Sequence, residues 1–332
     1  MVKPFNILVV GPSWVGDMVM AQSLFIVLKH QYPDCKIDVL APTWSLKLLQ
    51  RMPQVHSAIA MPLGHGQFDL LGRIRIGRGL RSHQYDQAFV LPNSWKSALI
   101  PFFAGIPKRT GYIGEMRWGL LNDARKLDKS RLTMTVQRFV ALANQELARY
   151  PFPKLEISSE QQQAVTAQFA VNNDTKILAL CPGAEYGPAK RWPIEHFAAV
   201  ARHMHRQGWQ VWLLGSDKDK PVAEQINVLS EQVCRNFAGS TNLAEAVDLM
   251  SLADVVVSND SGLMHVAAAL DKKLIALYGS SDPGFTPPLH KDAEIITLGL
   301  DCSPCFKREC PLGHTHCLTD IAPERVIAAI PR

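Results

Sequence analysis

The 332-residue chain is 47% hydrophobic and 20% charged, a balance that fits a soluble globular protein long enough for two domains and excludes a low-complexity or disordered chain. No run of about 18 apolar residues occurs, which excludes a membrane-spanning helix, and the opening MVKPFNILVVGPSW enters a strand without a long apolar leader, so a cytosolic protein is expected. The net charge of +5 is unevenly spread: residues 1–157 hold 20 Lys/Arg and 10 Asp/Glu, residues 158–332 hold 15 and 20. A basic first half suits an anionic partner, although a solvated basic face would look the same.

In the first half, strands are expected at Asn6–Val10, Lys36–Ala41, Ser57–Met61 and Gln87–Leu91. Helical patterns fall at Met18–Gln31, Trp44–Arg51, Leu70–Ser82, Ser94–Phe103 and Leu132–Arg149. Apolar strands alternating with helices mean βαβ units and a parallel sheet. RYPFPKLEIS, Arg149–Ser158, holds two prolines and no periodicity and reads as a linker. The second half repeats the pattern. Its strands are expected at Ile177–Cys181, Val211–Leu214, Val255–Ser258 and Leu274–Tyr278. Its helices are expected at Ile194–Gln207, Val222–Glu231, Leu243–Leu252, Leu263–Leu270 and Pro323–Ile330. The expected architecture is α/β, with two Rossmann-like doubly wound domains, 1–157 and 158–332. Their sheet edges would face a central cleft, where open α/β sheets bind ligands.

The candidate chemistry lies where strands end. NILVVGPSWVGDMVM has the strand, turn and helix of a dinucleotide site but only Gly11 and Gly16 of its glycines, and it sets Asp17 at the helix start. That carboxylate is either an ordinary helix N-terminal acid or a general base; its position alone favours the first. In CPGAEYGPAKRWP, Lys190 and Arg191 precede Trp192-Pro193 at a helix start, and Lys190 is placed to neutralise a phosphate or simply to face solvent. VVVSNDSGLMHVAAAL runs from a strand through Asp260-Ser261-Gly262 into a small-residue helix carrying His265. Its free N–H groups suit a diphosphate, with Asp260 near sugar hydroxyls; plain capping by Asp260 or Ser261 is the bland alternative. LLGSDKDKP adds Asp217 and Asp219, which suit a ribose. Three such loops at one edge describe a nucleotide-diphosphate site, putting a donor in the second domain and an acceptor in the first.

GPSWVGDMVM, MPLGHG, LPNSWKSALIPFFAGIPKRTGY, GLLND, CPGAEYGPAKRWP and NDSGLMHVAAAL together resemble the ADP-heptose:lipopolysaccharide heptosyltransferases, glycosyltransferase family 9. The similarity runs from the first strand to about residue 290. It implies a GT-B fold and inverting transfer of L-glycero-D-manno-heptose from ADP-heptose to the first heptose of the lipopolysaccharide inner core. The acceptor would be heptosyl-Kdo2-lipid A at the cytoplasmic face of the inner membrane, with no nucleic-acid partner. The resemblance implies Asp17 as the base, Lys190 on the donor phosphates and Asp260, Ser261 and Gly262 on sugar and diphosphate. It also implies Asp219 on the ribose and Glu185 and Tyr186 beside the nucleotide. His65, Asn93, Lys96, Arg109 and Arg117 are acceptor-side candidates. No cofactor is required, although magnesium assistance to the leaving diphosphate stays open. Two other readings remain: transfer at another core position, and a nucleotide-binding redox or metal protein, against which stands the missing G-x-G-x-x-G.

Late in the chain, CSPCFKRECPLGHTHC brings together Cys302, Cys305, Cys310 and Cys317. Four thiols at this spacing can chelate a structural zinc; the plain alternative is a set of reduced thiols fixing a late loop. Seven cysteines in all, an odd number, argue against a disulfide framework. The resembled family has members without the cluster, which implies that catalysis does not depend on it.

Overall fold

The computed structural model describes residues 5–64, 67–144 and 149–331. The chain divides into two compact units, Met1–Pro153 and Lys154–Arg332. Each holds one six-stranded parallel sheet.

In the first unit the order is β1 (Asn6–Val10), α1 (Val15–Gln31), β2 (Lys36–Pro42), α2 (Leu46–Leu49), β3 (Val55–Met61) and α3 (Leu70–Gly79). Then come β4 (Gln87–Val90), α4 (Trp95–Phe103), β5 (Lys108–Tyr112), β6 (Asp123–Arg125) and α5 (Thr135–Ala141). The strands lie β3-β2-β1-β4-β5-β6, all parallel. The middle of β1 shows why the run Ile7-Leu8-Val9 is apolar throughout: all three residues are fully buried, because helices cover both faces.

In the second unit the order is α6 (Ser159–Gln168), β7 (Ile177–Cys181), α7 (Ile194–Arg206), β8 (Gln210–Leu213), α8 (Lys220–Leu229) and β9 (Cys234–Asn236). There follow α9 (Leu243–Met250), β10 (Val255–Asn259), α10 (Gly262–Ala269), β11 (Lys273–Leu277), β12 (Glu294–Ile296), α11 (His316–Thr319) and α12 (Pro323–Ala329). The strands lie β12-β11-β10-β7-β8-β9, again all parallel. The core joins Leu178, Leu180, Trp192, Phe197, Val257 and Leu277, and α12 packs on α7, adding Val326.

Several elements depart from the sequence pattern, each for a local reason. The helix expected over Leu132–Arg149 is present as Thr135–Ala141, with residues 145–148 outside those described. The Asp128 carboxylate accepts from the backbone N–H groups of Ser130 and Arg131 at 3.0 and 3.2 Å, holding this stretch in a turn that competes with helix. Trp44–Arg51 divides into a 3₁₀ turn, Thr43–Ser45, and the short α2. Strands β5, β6, β9 and β12 carry no apolar run. The interior of β5 is held by polar side chains instead: Gln87 donates to Thr110 (2.8 Å) and Thr110 to Asp123 (2.9 Å), across three strands. Helix α6 is polar around most of its circumference, burying only Val165, and is started by a reciprocal cap between Ser158 and Gln161.

Candidate functional site

In each sheet the strand order reverses once, between β1 and β4 in the first and between β7 and β10 in the second. Ligands of open parallel sheets bind beyond the carboxyl ends of strands at such reversals. Both of the most specific sequence motifs fall there.

In the first unit, β1 runs into Gly11, whose N–H donates to Leu40 O (2.9 Å). A Cβ at Gly11 would stand 2.8 Å from Met18 Cε, so a larger residue here would push the Met18 side chain aside. Helix α1 then starts at Val15 and carries half-buried Asp17 in its first turn. From the other side of the reversal comes the loop after β4. Its Asn93 is exposed and accepts from Arg117 Nη2 (3.3 Å). Lys96 is half-buried, with Nζ 3.4 Å from Gln67 O. Two acceptor-side candidates spend guanidinium N–H groups on carbonyls of nearby loops. Arg117 is only 2% exposed and donates to the carbonyls of Pro92 and Tyr112 as well as to Asn93. Arg109 donates to the carbonyls of Leu120, Ile106 and Gly119. Both guanidinium groups anchor loops, because these turns leave carbonyls that need donors. His65 lies outside the described residues.

In the second unit the loop after β7 and the start of α10 meet. Lys190 Nζ lies 2.5 Å from Asp260 Oδ2, with the Asp260 side chain 5% exposed and the Lys190 side chain 17%. Beneath them Asn259, fully buried, ties the two loops: its Nδ2 donates to Pro182 O (2.7 Å) and its Oδ1 accepts from Trp192 N (3.1 Å). Ser261 occupies the N-cap position of α10, but its hydroxyl makes no capping bond; it faces the Ser258 hydroxyl at 3.4 Å. The first turn of α10 therefore keeps its N–H groups for another acceptor. His265, one turn in, is buried, and burial above all holds its pKa down to about 4, with Lys190 adding to the shift and Asp260 opposing it. It is a neutral imidazole at pH 7. Burial, reinforced by the charge of Asp219, pushes the Cys181 thiol up, leaving an inert thiol at the end of β7.

The remaining expected nucleotide residues border the same loops. Asp219 Oδ2 accepts from Ser216 N (2.9 Å) and Ser216 Oγ (2.7 Å). A Cβ on Gly183 would meet its carboxylate at 2.4 Å, so that glycine lets the acid approach the loop. Glu185 pairs with Lys218 on the exposed rim. Tyr186 donates to Phe306 O (2.8 Å), and Lys190 Nζ lies over its ring, 5.2 Å from the centroid. Sequence reasoning missed Asn259 as the tie, and it missed Ser280 and Ser281, whose buried hydroxyls find no partner among the described residues. The Asn-Asp-Ser-Gly turn was a signal for the first. The others follow the end of β11 in the small-residue run Gly279-Ser280-Ser281-Asp282-Pro283-Gly284, which marks a loop at the same sheet edge.

Cys302, Cys305, Cys310 and Cys317 line one small cavity of about 20 Å³ together with Ala189, Ser280 and His314. All four are free thiols. Among the described residues no group of three or more His, Cys, Asp or Glu side chains is arranged to hold a metal ion. Cys310 is held below the usual thiol range by the N–H groups of residues 312–315, chiefly Thr315, whereas burial pushes Cys317 up.

The family model for Glycosyltransferase family 9 (heptosyltransferase) matches residues 73–316. Lipopolysaccharide heptosyltransferase 2 of Salmonella typhimurium is 49% identical over 335 residues, covering 97% of this chain and 96% of that one. Lipooligosaccharide heptosyltransferase 2 of Haemophilus ducreyi is also 49% identical, covering 97% of each chain. Among solved structures, the ADP-heptose lipopolysaccharide heptosyltransferase II of Escherichia coli superposes with a TM-score of 0.87 at 46% identity, over 98% of this chain and 97% of that one.

Proposed function

Because the chain belongs to glycosyltransferase family 9, the heptosyltransferases, we propose that it transfers L-glycero-D-manno-heptose from ADP-heptose to the first heptose of the lipopolysaccharide inner core. The observation that carries this reading is the buried Lys190–Asp260 pair beside the uncapped start of α10, at the strand reversal of the second unit. A cation and free N–H groups at one point suit the diphosphate of a nucleotide-sugar. Residues 158–332 then bind the donor and residues 1–157 the acceptor.

In this reading Asp17 accepts the proton of the acceptor hydroxyl as its oxygen attacks the anomeric carbon. ADP leaves from the opposite face, inverting the configuration. Lys190 and the N–H groups at Ser261 and Gly262 offset the charge growing on the leaving phosphate. Asp260 holds Lys190 and reaches sugar hydroxyls; Asp219 takes the ribose; Glu185 and Tyr186 flank the nucleotide. No resident cofactor is needed in this scheme. Magnesium would assist only the leaving diphosphate, and a zinc at the four cysteines would serve structure rather than chemistry. The basic first half suits the phosphorylated acceptor lipid. No helix among the described residues is long and apolar enough to cross a membrane, so contact with that lipid would be peripheral, at the cytoplasmic face.

The test is incubation of the native protein and Asp17→Ala with ADP-heptose and an acceptor bearing one heptose, following ADP release and acceptor mass. Gain of one heptose by the native protein is expected, with the rate reduced about 10²–10⁴-fold in the variant, the usual size of general-base catalysis. Equal rates would return Asp17 to helix capping. Transfer only onto a heptose-free acceptor would move the reaction to another core position.

A further inference from the structure

A second cation stands beside the donor loop. Arg308 belongs to the cysteine-rich segment, far from that loop in sequence. Its backbone is nonetheless locked against it: Arg308 O accepts from Ala189 N (3.0 Å), and a Cβ at Gly187 would lie 2.5 Å from the same oxygen. Neighbouring Phe306 is fixed twice, with its N–H donating to Ser280 O (2.7 Å) and its carbonyl accepting from Tyr186 Oη (2.8 Å). Ser303 Oγ donates to Gly279 O. The segment therefore forms one wall of the Tyr186–Lys190 loop.

The side chain follows the backbone. The Arg308 guanidinium carbon lies 5.2 Å from the Tyr186 ring centroid, the same distance as Lys190 Nζ. The two cations stand no farther apart than twice that distance, around one aromatic ring. They differ in their partners. Lys190 is held by Asp260, whereas among the described residues no carboxylate pairs with Arg308. Asp260 is paired with Lys190, so the Arg308 charge beside Tyr186 has no carboxylate partner of its own among the described residues. A guanidinium and an ammonium on one aromatic ring suit an extended anion with two phosphoryl groups, since the guanidinium fork can take two oxygens at once.

We propose that Arg308 is a donor-binding residue that takes the diphosphate of the nucleotide-sugar together with Lys190, with Tyr186 as the platform that holds both cations. The inference rests on the donor assignment made under Proposed function. It gives the cysteine-rich segment a role in affinity: the thiol-lined loop carries a phosphate ligand into the site.

The test is calorimetric titration of ADP and of adenosine into the native protein, Arg308→Ala and Arg308→Met, with thermal melting of each. Methionine keeps an apolar stem over Tyr186 and removes the charge. Both variants should bind ADP at least about tenfold more weakly, as expected for loss of a charge-assisted contact, and adenosine unchanged, with melting close to native. Native ADP affinity in Arg308→Met would overturn the proposal, as would an equal loss for adenosine, since either assigns Arg308 only to propping Tyr186. A native protein that binds no ADP would instead sink the donor assignment itself, and Arg308 with it.

Discussion

Replacing Lys190 by alanine strands the carboxylate of Asp260, which is 5% exposed. Breaking a buried pair by removing one partner costs about 3–5 kcal/mol. The low end applies, because the Lys190 side chain is itself 17% exposed and water reaches its place. At about 2–4 °C per kcal/mol for a domain of this size, ~3 kcal/mol lowers the melting temperature of the second unit by about 6–12 °C. The double variant Lys190→Ala/Asp260→Asn removes the stranded charge and should recover most of that loss. It restores no cation for the diphosphate, so ADP binding should stay at least about tenfold weaker than native. Melting scans and ADP titrations on the three proteins separate the two effects. A Lys190→Ala protein that melts with the native one would refute the burial argument. A double variant that binds ADP like the native protein would refute the phosphate role.

Other outcomes follow from the same geometry. With its folded pKa at about 4 against 6.5 for a free imidazole, His265 takes a proton only in the unfolded chain between those values. Stability attributable to it is intact above pH 6.5 and falls as pH drops toward 4, by up to about 3 kcal/mol; a melting series should show this slope, and His265→Gln should flatten it. Asn259→Ala leaves the Pro182 carbonyl and the Trp192 N–H without their partner, which should cost about 2–4 kcal/mol in denaturant unfolding. Gly187→Ala drives a Cβ into the Arg308 carbonyl, so its ADP affinity should drop while adenosine binding falls less; identical affinities would show that the wall yields freely. Dialysis against a chelator should leave the transfer rate unchanged, and a loss restored by zinc alone would assign the four thiols to a required metal.

Arg109 and Arg117 show where sequence reading stops. Both stand in a basic stretch that suits an acceptor surface, and both donate to carbonyls of loops, Arg117 from a buried position and Arg109 from a half-buried one. Whether an arginine meets a ligand or its own backbone depends on which carbonyls the fold leaves without donors, and no periodicity records that. The polar strand β5 was hidden for a similar reason: its interior is satisfied by side chains of β4 and β6 rather than by apolar burial.

The sequence alone determined the order of strands, turns and helices through the site. Apolar runs mark buried parallel strands, and the residues that follow them, Asp17 and the Asp260-Ser261-Gly262 turn, are fixed by local signals. Only the tertiary structure decided what those turns meet. Lys190 reaches Asp260 across 70 residues, Tyr186 meets Phe306 across 120, and Arg308 joins their loop. These contacts arise because the strand order reverses between β7 and β10 and brings distant loops to one edge. Local propensity carries no information about which strands will be neighbours; the burial of whole sheet faces settles that.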